Sequence, residues 1–293
     1  MSIHGLPKKR LASLIKEYTS LKTTRASLLT LINEAETPES VYNSNAIENS
    51  TLTLGETEQI LMELSVGRHV SVREVFEAKN LARVMECVWK HAHERLLTQD
   101  LLCFLHHMLL TNISDDIAGR VRGPGEFVRI GTYVAVPPSH IAPLLRDAID
   151  RYSEHEPDVI TAIARFHLDF ETIHPFVDGN GRIGRVLINY QLHRLGLPPI
   201  ILRDKEKQAY YQSFKSFQAG NEQATDKLER ILLLALFESL HKRLAYLNEQ
   251  KIITVKKYAE LTEKPLNALL NQAKRQTLPA FREKGVWKIG RSQ

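Results

Sequence analysis

From Lys8 onward, apolar residues recur at helical spacing through nearly all of this 293-residue chain, and one window alone breaks the pattern. Such patterning commits a chain to a helical assembly rather than to a sheet protein. Leu11, Leu14, Ile15, Tyr18 and Leu21, then Leu28, Leu29 and Ile32, predict one helix over 8–32. Pro38 and Glu39 open a short segment that reaches about Asn49. Thr53-Leu54-Gly55-Glu56 has the form of a capping box and starts a helix to about Leu64. Further helices are expected over 73–93, 98–111, 140–154, 158–172, 181–195, 205–219 and 224–248. No repeat of fixed period is visible, which argues against a solenoid. The exception is Gly119 to Pro138, where glycines and prolines surround Phe127-Val128-Arg129-Ile130 and Tyr133-Val134-Ala135-Val136. Two short β-rich runs separated by glycine read as a hairpin, with an inert surface loop left open as the alternative.

An apolar content of 43% can fill a real core. No apolar run approaches the roughly 20 residues of a membrane span, and the longest, Ile231 to Phe237, lies in a charge-rich helix. Met1 to Arg10 carries basic residues without the apolar stretch of a signal peptide. Cys87 and Cys103 fall in apolar helical patterns without metal-ligand spacing and read as reduced core thiols, so a cytoplasmic chain is expected. Charge is unevenly placed. Residues 251–293 hold ten Lys or Arg against three Glu, a net +7 in a chain of +5, which leaves 1–250 at −2. That asymmetry marks the tail as a separate module suited to a polyanion.

The chemistry concentrates between two helices, in His174-Pro175-Phe176-Val177-Asp178-Gly179-Asn180-Gly181-Arg182-Ile183-Gly184-Arg185. Gly179, Asn180 and Gly181 allow a tight turn whose amides converge on an anion, and the turn feeds a helix N-terminus that attracts phosphate. Arg182 and Arg185, three apart, share a helix face and suit successive phosphates of a nucleotide. Asp178 is a hard oxygen ligand for the Mg²⁺ that travels with a triphosphate. His174 is the residue here able to take a proton near neutral pH. Scattered histidines elsewhere (His91, His93, His106, His107, His167) read as helix-face or core residues, and none is assigned to a metal.

The run 174–185 resembles the Fic-domain signature, His-Pro-Phe-x-Asp-Gly-Asn-Gly-Arg-x-x-Arg, at every fixed position. The resemblance implies a mainly α fold, a Fic-type helical bundle with a short β-hairpin flap, and the tail's own pattern adds a small C-terminal winged helix-turn-helix-like domain. It implies transfer of AMP from Mg-ATP to a Ser, Thr or Tyr hydroxyl of a protein, with His174 as general base and Asp178 on the metal. By the same resemblance Gly179, Asn180, Gly181, Arg182, Ile183, Gly184 and Arg185 hold the nucleotide, Arg182 near the β-phosphate and Arg185 at the γ-phosphate. Gly181 separates the chain from the kinase-like Doc relatives, which carry lysine there. The hairpin at 119–138 resembles the flap that clamps an extended target segment. Tyr210-Tyr211 matches an aromatic pair near the nucleoside, and Gln218 stands where some relatives have an Asn.

Ser44-Asn45-Ala46-Ile47-Glu48-Asn49 is similar to the Fic inhibitory motif, in which Glu48 would pair with Arg185 and deny it to the γ-phosphate. Ser44, Glu48 and Asn49 are therefore expected in an inhibitory helix of about 39–49. The expected domains are an N-terminal helical region over 1–69, a Fic core over 70–250 and a basic winged-helix-like domain over 251–293. In the last, Thr254 caps a helix to about Leu261, a second runs from Pro265 to about Arg275, and Val286-Trp287-Lys288-Ile289 is a strand. Its wording is similar to small excisionase-type DNA-binding units, with a protein-binding or dimer-supporting cap left open. Alternatives for the whole chain are AMP removal in the same pocket, and a DNA-binding regulator whose core senses ATP.

Overall fold

The computed structural model describes residues 6–67, 69–131, 133–153, 158–221 and 223–291. Met1 to Gly5, and the end of the helix expected over 140–154, lie outside the described residues. Twelve α-helices, one short 3-10 turn and five strands are present among them. The helix expected over 8–32 is two, α1 (Leu6–Lys22) and α2 (Ala26–Ile47), parted by a turn at 23–25. Helix α2 then continues straight through Pro38, where a separate segment was expected. Proline removes one amide donor and breaks a helix only where surrounding packing does not hold it. Here Glu39 is buried in an ion pair with Arg203 and Val41 is fully buried, so packing wins. The inhibitory segment is thus the last turns of a long helix, and Glu48 sits just beyond its end.

The chain forms two compact units, a division other than the three expected segments. The larger comprises residues 37–195 and 202–232. It holds the end of α2, then α3 (Leu54–Leu61), α4 (Val72–His91) and α5 (Gln99–Leu110). Thr53 closes the expected capping box onto Glu56, and Ser71 forms a second one onto Glu74. After α5 come β1 (Arg129–Ile130) and β2 (Tyr133–Val134), an antiparallel hairpin of two residues a side, shorter than the runs that suggested it. Helices α6 (Pro138–Ser153), α7 (Val159–Ile173) and α8 (Asn180–Arg194) follow, then a 3-10 turn at 204–206, α9 (Lys207–Gln218) and the start of α10 (Ala224–Leu247). Helices α7 and α8 are buried around most of their circumference, the pattern of core helices. Leu81, Leu102, Leu105, Leu109, Phe170, Phe176 and Leu187 form the centre between them, α4 and α5.

The smaller unit contains residues 6–36, 196–201 and 233–291. Strand β3 (Lys251–Thr254), α11 (Val255–Thr262), α12 (Leu266–Lys274), β4 (Ala280–Glu283) and β5 (Val286–Arg291) make its C-terminal part, with sheet order β3-β5-β4, all antiparallel. Both helices and β5 fall where the sequence put them, and β3 and β4 are additional. Val255, Ala259, Leu269, Ala273, Ala280 and Ile289 form this part's own core. Polar ties bind it to α10: Glu238 to Arg282 at 2.6 Å, His241 to Gln276 at 2.8 Å and Tyr246 to Glu283 at 2.7 Å. Fully buried Arg243 reaches Glu36 and Asn33, each at 2.6 Å.

Candidate active site

Helix α7 ends because His174 turns left-handed, at φ 50° and ψ 64°. A left-handed cap leaves the last helical carbonyls without helical donors. Arg122, from the segment before the hairpin, supplies them. Its Nε donates to the His174 carbonyl at 2.9 Å and its Nη2 to the Ile173 carbonyl at 3.2 Å. The same guanidinium donates to the carbonyls of Glu126 and Val136, each at 2.9 Å, so it fastens the hairpin's base to the loop. Sequence reading missed Arg122, because nothing in its neighbours signals four carbonyls gathered from distant segments.

The loop is held from within by Asn180, which accepts from the Phe176 amide at 2.9 Å and donates to the Phe176 carbonyl at 2.8 Å. Its side chain is spent on the turn, which leaves its backbone amide for an anion. His106 supports the loop from α5. Its Nδ1 accepts the Gly119 amide at 3.0 Å, so Nε2 carries the proton and donates to the Asp178 carbonyl at 2.9 Å. The ring stacks on Phe176 at 3.8 Å, and burial lowers its pKa to about 4. A neutral His106 is thus a strut, in keeping with a core residue.

Gly179 caps α8 at φ 81°, a backbone state that favours glycine. The first amides of α8 then face a cavity of about 460 Å³ lined by Asn45, Glu48, Arg73, His174, Asp178 and Arg182, among others. Asp178 and Arg182 lie 3.4 Å apart, Arg73 reaches Asp178 at 3.1 Å, and Glu77 holds Arg73 at 3.0 Å and Arg182 at 3.4 Å. This charged ring joins α4 to α8, and the α4 pair Arg73 and Glu77 was not anticipated. No group of three metal-binding side chains occurs among the described residues. A Mg²⁺ here fits only with Asp178 as one ligand and phosphate oxygens as others.

His174 is pushed down to about pKa 4, first by burial, so its ring is neutral at physiological pH. Its Nδ1 points back toward Glu171, 3.8 Å from the carboxyl Oε2. Glu171 is pushed up to about 8, first by burial and then by the nearby Glu48 charge, with Arg185 opposing. Gly184 makes room for this group, since a methyl there would strike Glu171 and His167.

Arg185 is almost fully buried and already engaged. Its Nε donates to Ser44 Oγ at 2.9 Å, and its Nη2 to the Ser44 carbonyl and Glu48 Oε1, both at 2.8 Å. Burial alone would lower its pKa, but Glu48, with Tyr210 and Glu171 behind it, raises it above the ordinary value. Glu48 stands against Gly181 so closely that a Cβ at Gly181 would collide with its carboxylate. The carboxylate therefore covers the first turn of α8, where an anion would dock. Asn49, left-handed at φ 66°, turns the chain along the cavity rim.

Ile183 is wholly buried and serves packing. Tyr210 is buried with its hydroxyl on His167 Nε2 at 2.7 Å, and Tyr211 donates to the Ile47 carbonyl at 2.9 Å. Neither tyrosine is among the residues lining the cavity, while Tyr210 also lies against Arg185 at the end of the loop.

A neutral imidazole, a glycine-capped helix N-terminus, Arg73 and Arg182, and the carboxylates of Glu48, Glu74, Glu77 and Asp178 thus line one cavity of a helical fold. Residues 96–192 match the model of the Fic/DOC family. Over that span the chain carries a Fic/DOC domain. Over 188 residues it is 32% identical to protein adenylyltransferase fic-1 of Caenorhabditis elegans, covering 62% of this chain and 36% of that protein. It is 30% identical over 232 residues to protein adenylyltransferase Fic of Drosophila melanogaster, covering 75% of this chain and 45% of that one. The chain thus spans less than half the length of these curated relatives. Among solved structures, a Fic domain-containing signalling protein from Bacteroides thetaiotaomicron matches with a TM-score of 0.73 at 25% identity, over 82% of this chain and 97% of that one. A Fic family protein from Desulfovibrio desulfuricans shares the fold at a TM-score of 0.66 and 19% identity, over 100% of this chain and 98% of its own.

Proposed function

We propose that this chain transfers AMP from Mg-ATP to a Ser, Thr or Tyr hydroxyl of a protein, and that Glu48 restrains it. The observation that carries the reading is the convergence of His174, Asp178, Arg182 and the α8 amides on one cavity, with the Glu48 carboxylate laid over its anion end. In the forward reaction neutral His174 takes the proton of the incoming hydroxyl. The oxygen then bonds to the α-phosphorus, the bond to the β-phosphate oxygen breaks, and pyrophosphate leaves. Amides of Gly179 to Gly181 and the Arg182 guanidinium stabilise the charge that develops. Asp178 would hold the Mg²⁺ that accompanies ATP, which would offset charge on the triphosphate. Arg185 would take the γ-phosphate once Glu48 leaves.

The hairpin at 119–138 supports target binding. The Ala135 amide bonds the Val128 carbonyl at 3.0 Å and extends its ladder, and Arg122 anchors it to His174. An extended target segment added at this edge would present its hydroxyl to the base. No described helix is long and apolar enough to cross a membrane. Cys87 and Cys103 are free thiols whose pKa burial pushes up, which suits the cytoplasm. The test is label transfer from α-labelled ATP in native lysate, comparing wild type with Glu48→Gly and His174→Ala. Labelled protein with Glu48→Gly and none with His174→Ala supports transfer. Loss of AMP from a premodified target instead indicates that the pocket runs the reverse reaction.

A further inference from the structure

We infer that residues 251–291 bind duplex DNA, with the outer face of α12 as the reading element and the β4–β5 hairpin as a wing beside it. The local fold carries the first part of this. Thr254 caps α11 through the Lys257 amide, and α11 ends at Glu263, left-handed at φ 54°. Pro265 starts α12, so two helices are joined by a three-residue turn. The chain then returns through β4 and β5 over a two-residue turn with Lys284 at φ 49° and Gly285 at φ 78°. Positive φ at both positions matches the right-handed strand twist and gives a tight, projecting hairpin. Helix, turn, helix and hairpin in this order is the arrangement that lays a second helix along a major groove.

The surface chemistry carries the second part. Helix α12 buries Leu269 and Ala273 and presses Leu266 and Leu270 on the same core. Its opposite side exposes Asn267, Asn271, Gln272, Lys274 and Arg275. Asn267, Asn271, Lys274 and Arg275 follow helical spacing, so they form one stripe. No acidic residue lies between Leu266 and Arg275. Amide side chains match the donor–acceptor edge of adenine, and lysine and arginine at the stripe's end match phosphates or guanine. Exposed Lys256 and Lys257 on α11 and Arg291 on β5 extend the positive field, with Lys257 also pairing Glu260 at 3.0 Å.

The other side of the module is occupied. Phe281 is fully buried, Arg282 is clamped by Glu238, and Gln276 is bonded to His241. Docking onto its own unit therefore uses the sheet side and leaves the α12 stripe facing solvent. A protein-binding cap would need apolar area on that stripe, and Ala268 is the one apolar side chain exposed there.

The test uses the full chain and fluorescein-labelled duplexes of about 20 bp, long enough for one recognition helix and its flanks. Binding measured by anisotropy should tighten steeply as salt falls. Lys274→Glu with Arg275→Glu should weaken it at least about tenfold and lower the salt slope by about 2. Asn267→Ala with Asn271→Ala should leave binding to random duplex nearly intact, while the preference for a sequence selected from a random pool falls about tenfold. Hydrogen exchange of wild type should show duplex protecting 266–275, a reading independent of whether the variants fold. AMP labelling by the Glu48→Gly enzyme should not change with the α12 substitutions, so failure here is distinct from failure of the catalytic reading. Absence of binding at low salt, unchanged affinity in the charge-reversal variant, equal binding of heparin, or protection elsewhere than α12 would each overturn the proposal.

Discussion

At the residue scale, the proposed transfer depends on a histidine whose proton affinity the fold has reduced. Burial lowers His174 to about 4, so it is deprotonated across the physiological range. Transfer by a released enzyme should stay flat above about pH 6 and decline below about pH 5, as protonation removes the base. A profile centred near 6.5 would instead mean that His174 is solvated when it works. His174→Ala should cost roughly 10²–10⁴-fold in transfer while nucleotide affinity survives, because the anion site consists of amides and arginines. Calorimetric titration with ATP separates the two effects. Asn180 shows what motif reading does not convey. Residue type and position marked it as a phosphate contact, yet its amide closes the loop on Phe176 through two bonds. Its neighbour in space, not in sequence, decides what its side chain does.

At the element scale, helical spacing and caps were legible, and interruptions were not. Thr53 and Thr254 announce their helices because the cap is local chemistry. Pro38 misleads because its cost is local while the packing that offsets it comes from Arg203, over 160 positions away in the chain. The hairpin was visible as two β-rich runs, but its anchoring was not. Arg122→Ala should therefore test an element-level dependence. It strips charged donors from four buried or half-buried carbonyls, a loss of about 2–3 kcal/mol in stability. Transfer should fall with it, because the His174 backbone loses its clamp. Arg122→Lys should not restore either, since one ammonium lacks the planar fork that spans four acceptors. Denaturant melts beside labelling assays check both.

At the scale of the whole molecule, the net charge break near residue 250 was readable, but the ties across it were not. Glu238, His241, Lys242 and Tyr246 all find partners beyond 270 within the smaller unit. Truncation at 250 should therefore lower the melting temperature, while the larger unit's separate core keeps it folded. Acid should act through buried histidines. His106, His167, His174 and His241 all have pKa values lowered to about 3–4, chiefly by burial. A histidine depressed in the folded state binds its proton more readily when unfolded. Their contribution is present above about pH 6.5 and is lost as pH falls toward about 4. Glu171 runs the other way: raised to about 8, it stabilises at low pH and loses that contribution as pH rises through 8. Glu171→Gln should remove that decline in melting temperature, which runs from about pH 4.5 to about 8, and leave the histidines' loss below about pH 6.5 in place.

The most direct test of restraint by Glu48 compares wild type, Glu48→Gly, Arg185→Ala and the double variant in labelling from α-labelled ATP. Glu48 holds Arg185 at 2.8 Å and lies over the first turn of α8. Its removal should raise labelling, including self-modification, on the order of 10²-fold, the scale on which a misplaced phosphate costs rate. The double variant should lose that gain, because the partner released for the γ-phosphate is gone and contacting residues are not additive. Labelling by Glu48→Gly no higher than wild type, or a double variant as active as Glu48→Gly, would contradict the pairing as the brake.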